Sequence, residues 1–351
     1  MRWKILFLLC TTCFVKDIAA QNRFDNWMNP VIDSSYVDNY YNDFILRVYS
    51  SQKYSIQHIV DWGEKLTLAY RPSNGYNLGV GFTYKFLTIN AGFAYPFTTP
   101  DPDLYGKCKR LDLQAHVYFK RFYVDFFTGY YKGQYLNNTK ELFPNPLPNN
   151  GFYIRDDLST YSVGMGIYTN FNPKKFRFEA PFLQNVKQKK SAGAPVAGYE
   201  LLWVESQADS SFIPKGMIRN SFFESKDFTR WNVLTVSIAG GYAYDFVILK
   251  DFFLLLSLNG SIGIGYNHIY QVNSEQSNRI SINKGINHRV GLGYQHDRIF
   301  IGASWIGYHL FSPTAISKTL FVWSPGVMRL NIAYRFTLKK GIKLLAGIKN
   351  E

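Results

Sequence analysis

The chain has 351 residues, a formal net charge of +14, a pI of about 9.4 and 18% aromatic residues. This charge favours anionic partners such as lipid or polysaccharide, whereas nucleic acid is a poor match for an exported, aromatic-rich, strand-patterned chain. Cys10 and Cys13 lie in an apparent export signal, so only Cys108 remains after cleavage and an internal disulfide is excluded.

The amino-terminal residues 1–20 have the pattern of a cleaved signal peptide. Arg2 and Lys4 precede a short apolar stretch, and small residues lead to Ala20, after which we expect cleavage. Cys10 offers a lipoprotein alternative, but Leu9 is a poor neighbour for that cleavage. The signal predicts export from the cytoplasm.

Residues 21–63 follow as a lead-in of ambiguous character. The stretch 44–60 fits either a further strand hairpin or a periplasmic segment that precedes the barrel. We therefore leave both alternatives open for this part of the chain.

Residues 64–338 show a two-residue alternation that predicts membrane-crossing strands. It is clearest in residues 111–119, where Leu111 and Leu113 alternate with Asp112 and Gln114. Beyond the signal, no apolar run reaches the roughly 18 residues of a spanning helix, whereas most alternating segments approach the ~9 to 11 residues of a spanning strand. Apolar residues would then face lipid and polar residues the lumen.

Turn lengths predict the strand order and the strand number. Short connections at residues 85–86, 120–121, 172–174, 249–251 and 297–298 would face the periplasm, and long ones would face outward. With one strand placed at residues 212–224, the pattern predicts an all-β, transmembrane, antiparallel up-and-down β-barrel of meander topology with about fourteen strands, twelve to sixteen being possible. Residues 339–351 would form a carboxyl-terminal tail.

The polar positions of the two-residue alternation assign a set of side chains to the barrel lumen. Basic residues outnumber acidic ones in this set, so an open lumen would favour anions, and a closed one would hold paired charges. The bulk of the lumen side chains favours a closed or narrow lumen. The set is Lys65, Arg71, Lys85, Asp112, Gln114, His116, Arg121, Asp125, Asp245, Arg289, Arg329 and Arg335.

A lysine-rich loop at residues 185–193 is predicted to be extracellular. Lys187, Lys189 and Lys190 would bind lipopolysaccharide phosphates there, against the simpler interpretation of an ordinary solvated loop.

Several short motifs, taken in their shared order, resemble an outer-membrane family of Bacteroidota, domain of unknown function 4421. The resemblance runs from about residue 36 to the carboxyl end and implies an outer-membrane barrel of a Gram-negative bacterium, with no catalytic residues to carry over. The motifs are Tyr70-Arg71-Pro72, Leu78-Gly79-Val80-Gly81-Phe82-Thr83-Tyr84-Lys85, Asp112-Leu113-Gln114, Tyr131-Lys132-Gly133-Gln134-Tyr135, Lys189-Lys190-Ser191-Ala192-Gly193 and Asp209-Ser210-Ser211-Phe212-Ile213-Pro214.

The last predicted strand is similar to the signal by which the barrel-assembly machinery recognises its substrates. The residues are Asn331-Ile332-Ala333-Tyr334-Arg335-Phe336, with Ala333 where glycine is usual. The barrel-assembly machinery is therefore an expected partner during insertion, and outer-membrane lipid and lipopolysaccharide are expected partners afterwards.

No arrangement of residues predicts an active site. The histidines lack metal-ligand spacing, no cofactor motif is present, and His116 is better explained as a hydrogen-bonded lumen side chain than as a catalytic one. We therefore expect a non-enzymatic outer-membrane barrel with a basic lumen, forming a narrow pore or serving a structural or envelope-interaction role. The alternatives are a membrane-embedded enzyme acting on envelope lipid or polysaccharide, and a soluble periplasmic lipid-binding barrel.

Overall fold

The structure is a computed structural model that describes residue 27 and residues 30–84, 87–147, 151–217, 222–273 and 275–337. The signal peptide, Lys85 and the carboxyl-terminal tail lie outside the described residues. Within the described ranges most residues lie in β-strands, which are joined by loops, turns and short helices.

The described residues contain fifteen strands, three one-turn α-helices and two 3-10 turns. The strands are β1 (Val37–Asn39), β2 (Asp43–Asp61), β3 (Leu66–Pro72), β4 (Asn77–Tyr84), β5 (Leu87–Ala94), β6 (Lys109–Tyr118), β7 (Phe122–Leu136), β8 (Tyr153–Asn170), β9 (Val186–Gln188), β10 (Ala192–Gln207), β11 (Phe228–Ile248), β12 (Phe252–Gln271), β13 (Gln276–His296), β14 (Ile299–Pro313) and β15 (Thr319–Thr337). The helices are α1 (Pro102–Tyr105), α2 (Thr139–Leu142) and α3 (Ala180–Leu183), and the 3-10 turns are Pro96–Thr98 and Phe222–Ser225.

Ten strands close into an antiparallel barrel. From β7 to β15 the neighbours in the ring follow chain order, β9 standing apart, as expected of a meander. The ring closes because β15 pairs with β2 over its whole length, from Thr319↔Asp61 to Thr337↔Asp43. The barrel therefore begins at Asp43, earlier than the boundary at residue 64 predicted from sequence, and residues 44–60 form one long strand rather than a hairpin.

Three further strands extend the sheet to thirteen without joining the ring. Residues 57–61 of β2 pair with β3, which in turn pairs with β7. Residues 44–51 of β2 pair with β4. The β4–β5 hairpin and strand β6 therefore branch from the ring, on β2 and β7 respectively. The strand expected at residues 212–224 is not formed, since the described part of that segment is loop with a 3-10 turn. The closed ring thus has ten strands and the whole sheet thirteen, where the sequence predicts a barrel of about fourteen.

The shortest connections all lie at one end of the barrel, where the long connection of residues 171–191 also lies. The connections after β6, β11 and β13 are two to three residues long and lie at one end, which we call the turn-side end. Longer connections, such as the one after β7, lie at the opposite or loop-side end. In outer-membrane barrels short turns face the periplasm, which gives the barrel its orientation.

The outer surface carries an apolar band across nearly every strand. On β11 and β12, for example, Val236, Ile238, Leu258 and Ile264 are all more than half exposed. Their neighbours in sequence point inward, as Ser237, which is buried, illustrates. Such a band is stable only against hydrocarbon. The soluble-barrel alternative required these apolar side chains to face inward, and it is wrong.

Near the loop-side end the polarity of the interior reverses. The inward-facing residues there form an apolar cluster that includes Ile59, Leu68, Tyr70, Trp231 and Trp323, all buried. Above the membrane a barrel must bury its apolar side chains inside, because its outer face meets water. No helix in the described part of the chain is long and apolar enough to cross a membrane.

Candidate functional site

The lumen is filled at the turn-side end by residues 171–191, which we call the turn-side plug. Phe176, Arg177 and Phe178 are buried there, and Nε of Arg177 donates to Oε1 of Glu179 at 2.9 Å. The Phe178 ring stacks on Tyr123 of β7 with 4.6 Å between the ring centroids. The connection between β8 and β10 thus folds into the barrel instead of crossing the membrane as a strand.

Long polar side chains of the barrel wall hold this plug by its main chain. Arg47 donates to the Leu183 carbonyl at 3.1 Å, and Nε of Arg335 donates to the Gln184 carbonyl at 2.9 Å. Gln295 donates to the carbonyl of Val186 at 3.0 Å. These bonds give carbonyl oxygens partners away from water, where an unpaired acceptor would be costly.

The loop-side end is filled by residues 208–227, described at 208–217 and 222–227, which we call the loop-side plug. Phe212 and Phe223 are completely buried in the apolar cluster. The Tyr70 hydroxyl donates to the Phe212 carbonyl at 2.5 Å, and the Phe223 amide donates to Oδ2 of Asp61 at 2.7 Å. Both ends of the lumen are therefore filled by segments of the chain itself.

A chamber of about 80 Å³ remains between the two plugs, enough for a few water molecules, and both polar and apolar side chains line it. Its wall combines ionisable and hydroxyl groups from strands on several sides of the barrel. The polar residues that line it include Ser55, Asp112, Gln114, His116, Asp125, Tyr131, Ser162, Tyr168, Glu200, Asn287, Arg289 and Tyr308.

The first charged group in the chamber joins His116, Asp125 and Arg289. Nδ1 of His116 lies 2.7 Å from Oδ1 of Asp125, and the other carboxylate oxygen accepts a hydrogen bond from the Arg289 guanidinium. Arg289 also donates to the Tyr118 hydroxyl at 3.2 Å and lies over the Phe178 ring at 5.1 Å. The alternation of residues 111–119 predicted the lumen side for His116, and the structure adds its partners.

A second charged group is centred on Glu200, which the sequence did not reveal. The hydroxyls of Tyr168 and Tyr308 donate to its two carboxylate oxygens at 2.7 and 3.2 Å. Asn287 donates to the Tyr168 hydroxyl at 3.3 Å. The alternation along β10, in which Val196, Glu200 and Leu202 face inward, is the sequence signal that identifies Glu200 as a lumen residue.

Two further lumen cations, Lys53 and Arg47, come from β2. Nζ of Lys53 lies 2.6 Å from Oδ1 of Asp112, whose other oxygen accepts from the Tyr131 hydroxyl at 2.6 Å. Arg47 is buried and donates to the Thr83 hydroxyl. The sequence analysis missed both residues, because it did not decide which side chains of residues 44–60 face inward.

The structure places four of the predicted lumen residues elsewhere or without partners. Lys65 lies in the exposed turn after β2, and Arg71 faces outward because its neighbours Leu68 and Tyr70 fill the apolar cluster. Arg121 lies in the turn after β6, over the Trp27 ring at 4.7 Å. Asp245 is buried in the lumen, with no hydrogen-bond partner among the described residues. Thus Lys65, Arg71 and Arg121 are corrections to the sequence analysis.

The lysines of residues 185–193 lie at the turn-side end, so their predicted extracellular position is wrong. A short turn at residues 172–174 predicts a membrane-crossing strand after it, but residues 174–184 belong to the turn-side plug and form no strand. Nζ of Lys187 lies 2.6 Å from Oδ1 of Asp251, in the turn between β11 and β12. This bond holds the pKa of the Asp251 carboxyl below its usual range. Lys189 pairs with Asp38 at 2.8 Å, and Lys190 lies over the Tyr36 ring at 5.3 Å.

A closed antiparallel barrel with an outward apolar band and short turns at one end defines an outer-membrane β-barrel protein. The chain belongs to the family described as Domain of unknown function (DUF4421), which matches residues 31–336. The family expected from the sequence motifs is confirmed, and the protein lies in the outer membrane.

Solved outer-membrane proteins have similar folds at low sequence identity. The outer membrane protease OmpT from Escherichia coli is 7% identical with a TM-score of 0.39, covering 85% of this chain and 98% of that one. The translocator domain of the autotransporter NalP from Neisseria meningitidis is 8% identical with a TM-score of 0.33, covering 91% and 95%. No curated protein matches the chain.

Proposed function

We propose that this protein is a non-enzymatic outer-membrane barrel with a closed lumen, which serves a structural or envelope-interaction role and is not an open pore. The filling of both lumen ends is the observation that carries this proposal. Phe178 on the turn side and Phe223 on the loop side are each almost fully buried. The chamber between them, about 80 Å³, is too small to be a continuous aqueous channel.

The charges of the lumen support the basic character expected from sequence. Arg47, Arg289 and Arg335 are buried on the inner face. Lys53 of β2 and Arg329 of β15 face the same side, because each lies an even number of residues from Arg47 or Arg335 on its strand. Of the inward acidic residues, Asp125 and Asp112 are already paired with Arg289 and Lys53. Such a lumen, if opened, would favour anions over cations.

The surroundings of His116 support the non-enzymatic role. A histidine–carboxylate pair becomes catalytic when the histidine also activates a nucleophile or a water. In the described part of the chain, the only hydrogen bond of the His116 ring is to Asp125, and Arg289 occupies the other Asp125 oxygen. This arrangement fits a structural network better than an acid–base site.

Ion conductance in planar bilayers tests the closed lumen. The wild-type protein should give no steady current, because both plugs are packed into the wall. A variant with residues 175–188 replaced by a glycine-serine linker should conduct and prefer chloride to potassium. The same replacement at the exposed residues 99–101 is the matched control and should stay silent. A steady wild-type current as large as that of the variant with residues 175–188 replaced would refute the closed barrel.

The expected partners remain part of this proposal. The apolar band would bind outer-membrane lipid, and β15 would carry the signal for the barrel-assembly machinery at Tyr334 and Phe336. Both aromatic side chains face outward at the turn-side end of β15, with 4.7 Å between their ring centroids. Phe336→Ala should lower the amount of folded barrel in membranes, while Phe97→Ala, in an exposed loop, should not.

A further inference from the structure

The barrel wall has an opening between β5 and β6. Within residues 30–84 and 87–147, β5 pairs only with β4, and β6 pairs only with β7, so each strand leaves one edge unpaired. Both edges lie at membrane depth, because Phe93 of β5 and Leu111 and Leu113 of β6 are more than half exposed in the apolar band. Unpaired backbone groups facing hydrocarbon are costly, so this opening calls for an occupant.

Two arginines lie directly behind the β4–β5 hairpin on the lumen side. Arg47 bonds to Thr83 of β4, and the Arg329 guanidinium lies over the Tyr49 ring at 4.7 Å. The Tyr49 hydroxyl in turn contacts Gly92 of β5, where a β-carbon would approach it to 2.8 Å. Tyr49 therefore positions Arg329 against the inner face of the hairpin that borders the opening.

Among the described residues, neither of these two arginines forms an ion pair with a carboxylate. Arg47 is 1% exposed, and its bonds go to a hydroxyl and a main-chain carbonyl. Nε of Arg47 and Nε of Arg329 are both buried without a hydrogen-bond partner among the described residues. By contrast, Arg289 is paired with Asp125. Uncompensated buried charge is costly, so the site is complementary to an anion.

We propose that the opening admits the carboxylate of a fatty acid from the membrane, which binds Arg47 and Arg329 while its chain stays against the apolar residues of β5 and β6. A carboxylate matches the planar fork of a guanidinium and satisfies buried N–H donors. The plugs leave no room for an acyl chain in the lumen, so a small head group on a single chain fits best. This inference deepens the proposed envelope-interaction role and rests on it.

Displacement of a fluorescent fatty acid tests the site in the purified mature barrel. Dansylaminoundecanoate bound to the wild type should be displaced by palmitate, but not by hexadecanol, which lacks the charge, nor by inorganic phosphate, which lacks the chain. Arg329→Gln and Arg47→Gln should each weaken palmitate binding about tenfold or more, which corresponds to ~1.4 kcal/mol. Arg71→Gln, which alters an outward-facing arginine, should bind like the wild type.

The controls make each outcome decisive. Heat-dependent gel mobility identifies folded barrels, and Arg47→Lys replaces Arg47→Gln if the latter does not fold. Unchanged affinity in the folded arginine variants would overturn the site, as would equal displacement by hexadecanol. Equal displacement by phosphate would assign the site to free anions and overturn the fatty acid. Conductance on the same preparations separates the two proposals: a silent barrel without binding refutes only the fatty-acid site.

Discussion

Lys53 and Asp112 join β2 to β6 near the loop-side end of the opening between β5 and β6. Nζ of Lys53 donates to Oδ1 of Asp112 at 2.6 Å and to the main-chain carbonyl of the same residue at 2.9 Å. The second bond gives a partner to a backbone oxygen of the β6 edge strand. One lysine therefore links the closed ring to the strand that branches from it.

We expect Lys53→Met to destabilise the barrel by about 1–3 kcal/mol, because Asp112 keeps only its Tyr131 bond and the edge carbonyl loses its donor. The free energy of unfolding in urea, followed by gel mobility, measures the effect. Lys226→Met is the matched control, since Lys226 pairs with Glu224 on the exposed surface and its loss should cost ~0–1 kcal/mol. Equal effects of the two variants would contradict the bridging role.

Arg289→Met should destabilise the barrel by about 3–5 kcal/mol, because the Asp125 carboxylate would be left buried without its cation. The double variant Arg289→Met with Asp125→Leu should recover much of this loss, since both buried charges are then removed. Urea unfolding of the two single variants and the double variant measures the coupling. Strict additivity of the two losses would show that the ion pair is not coupled.

Gly133→Ala should destabilise the fold by about 2 kcal/mol or more, since its φ of +91° lies where other residues are strained. A β-carbon there would also collide with the main-chain oxygen of Lys107, next to the bulge in β7. Gly260→Ala is the control, because a β-carbon at that position has no atom within 4 Å. Thermal unfolding of both variants compares them, and a larger loss for Gly260→Ala would contradict this account.

The Lys187–Asp251 bond should make the turn-side plug sensitive to acid. Because this bond lowers the pKa of folded Asp251 below its ordinary 3.8, its stabilisation is present above that value and lost as pH falls through the lowered pKa. The exposure of Asp251 limits the effect at pH 7 to less than about 1 kcal/mol.

Urea unfolding of wild type and Lys187→Gln from pH 7 to pH 2 should therefore show a difference that disappears as the pH falls through the lowered pKa of Asp251. Lys174→Gln, at an exposed position of the same plug, should match the wild type at every pH. A difference that grows towards low pH would contradict the assignment of this bond.

The sequence by itself determined the membrane barrel and the side on which most strand residues lie. Alternation at residues 111–119 assigned Asp112, Gln114 and His116 to the lumen, because a strand's backbone fixes opposite directions for successive side chains. The short turns likewise assigned the orientation of the barrel. These properties depend on neighbouring residues of one strand or turn, so the amino-acid sequence is enough to specify them.

Only the tertiary structure decided which strands pair and where the long connections go. Leu68 and Tyr70 alternate like lipid-facing residues, yet they face inward, since above the membrane the apolar face is the inner one. Residues 174–184 fold inside the barrel because Arg47 and Arg335 reach their carbonyls from distant strands. Alternation gives each strand two faces, but the position of the membrane and contacts between distant residues decide what each face meets.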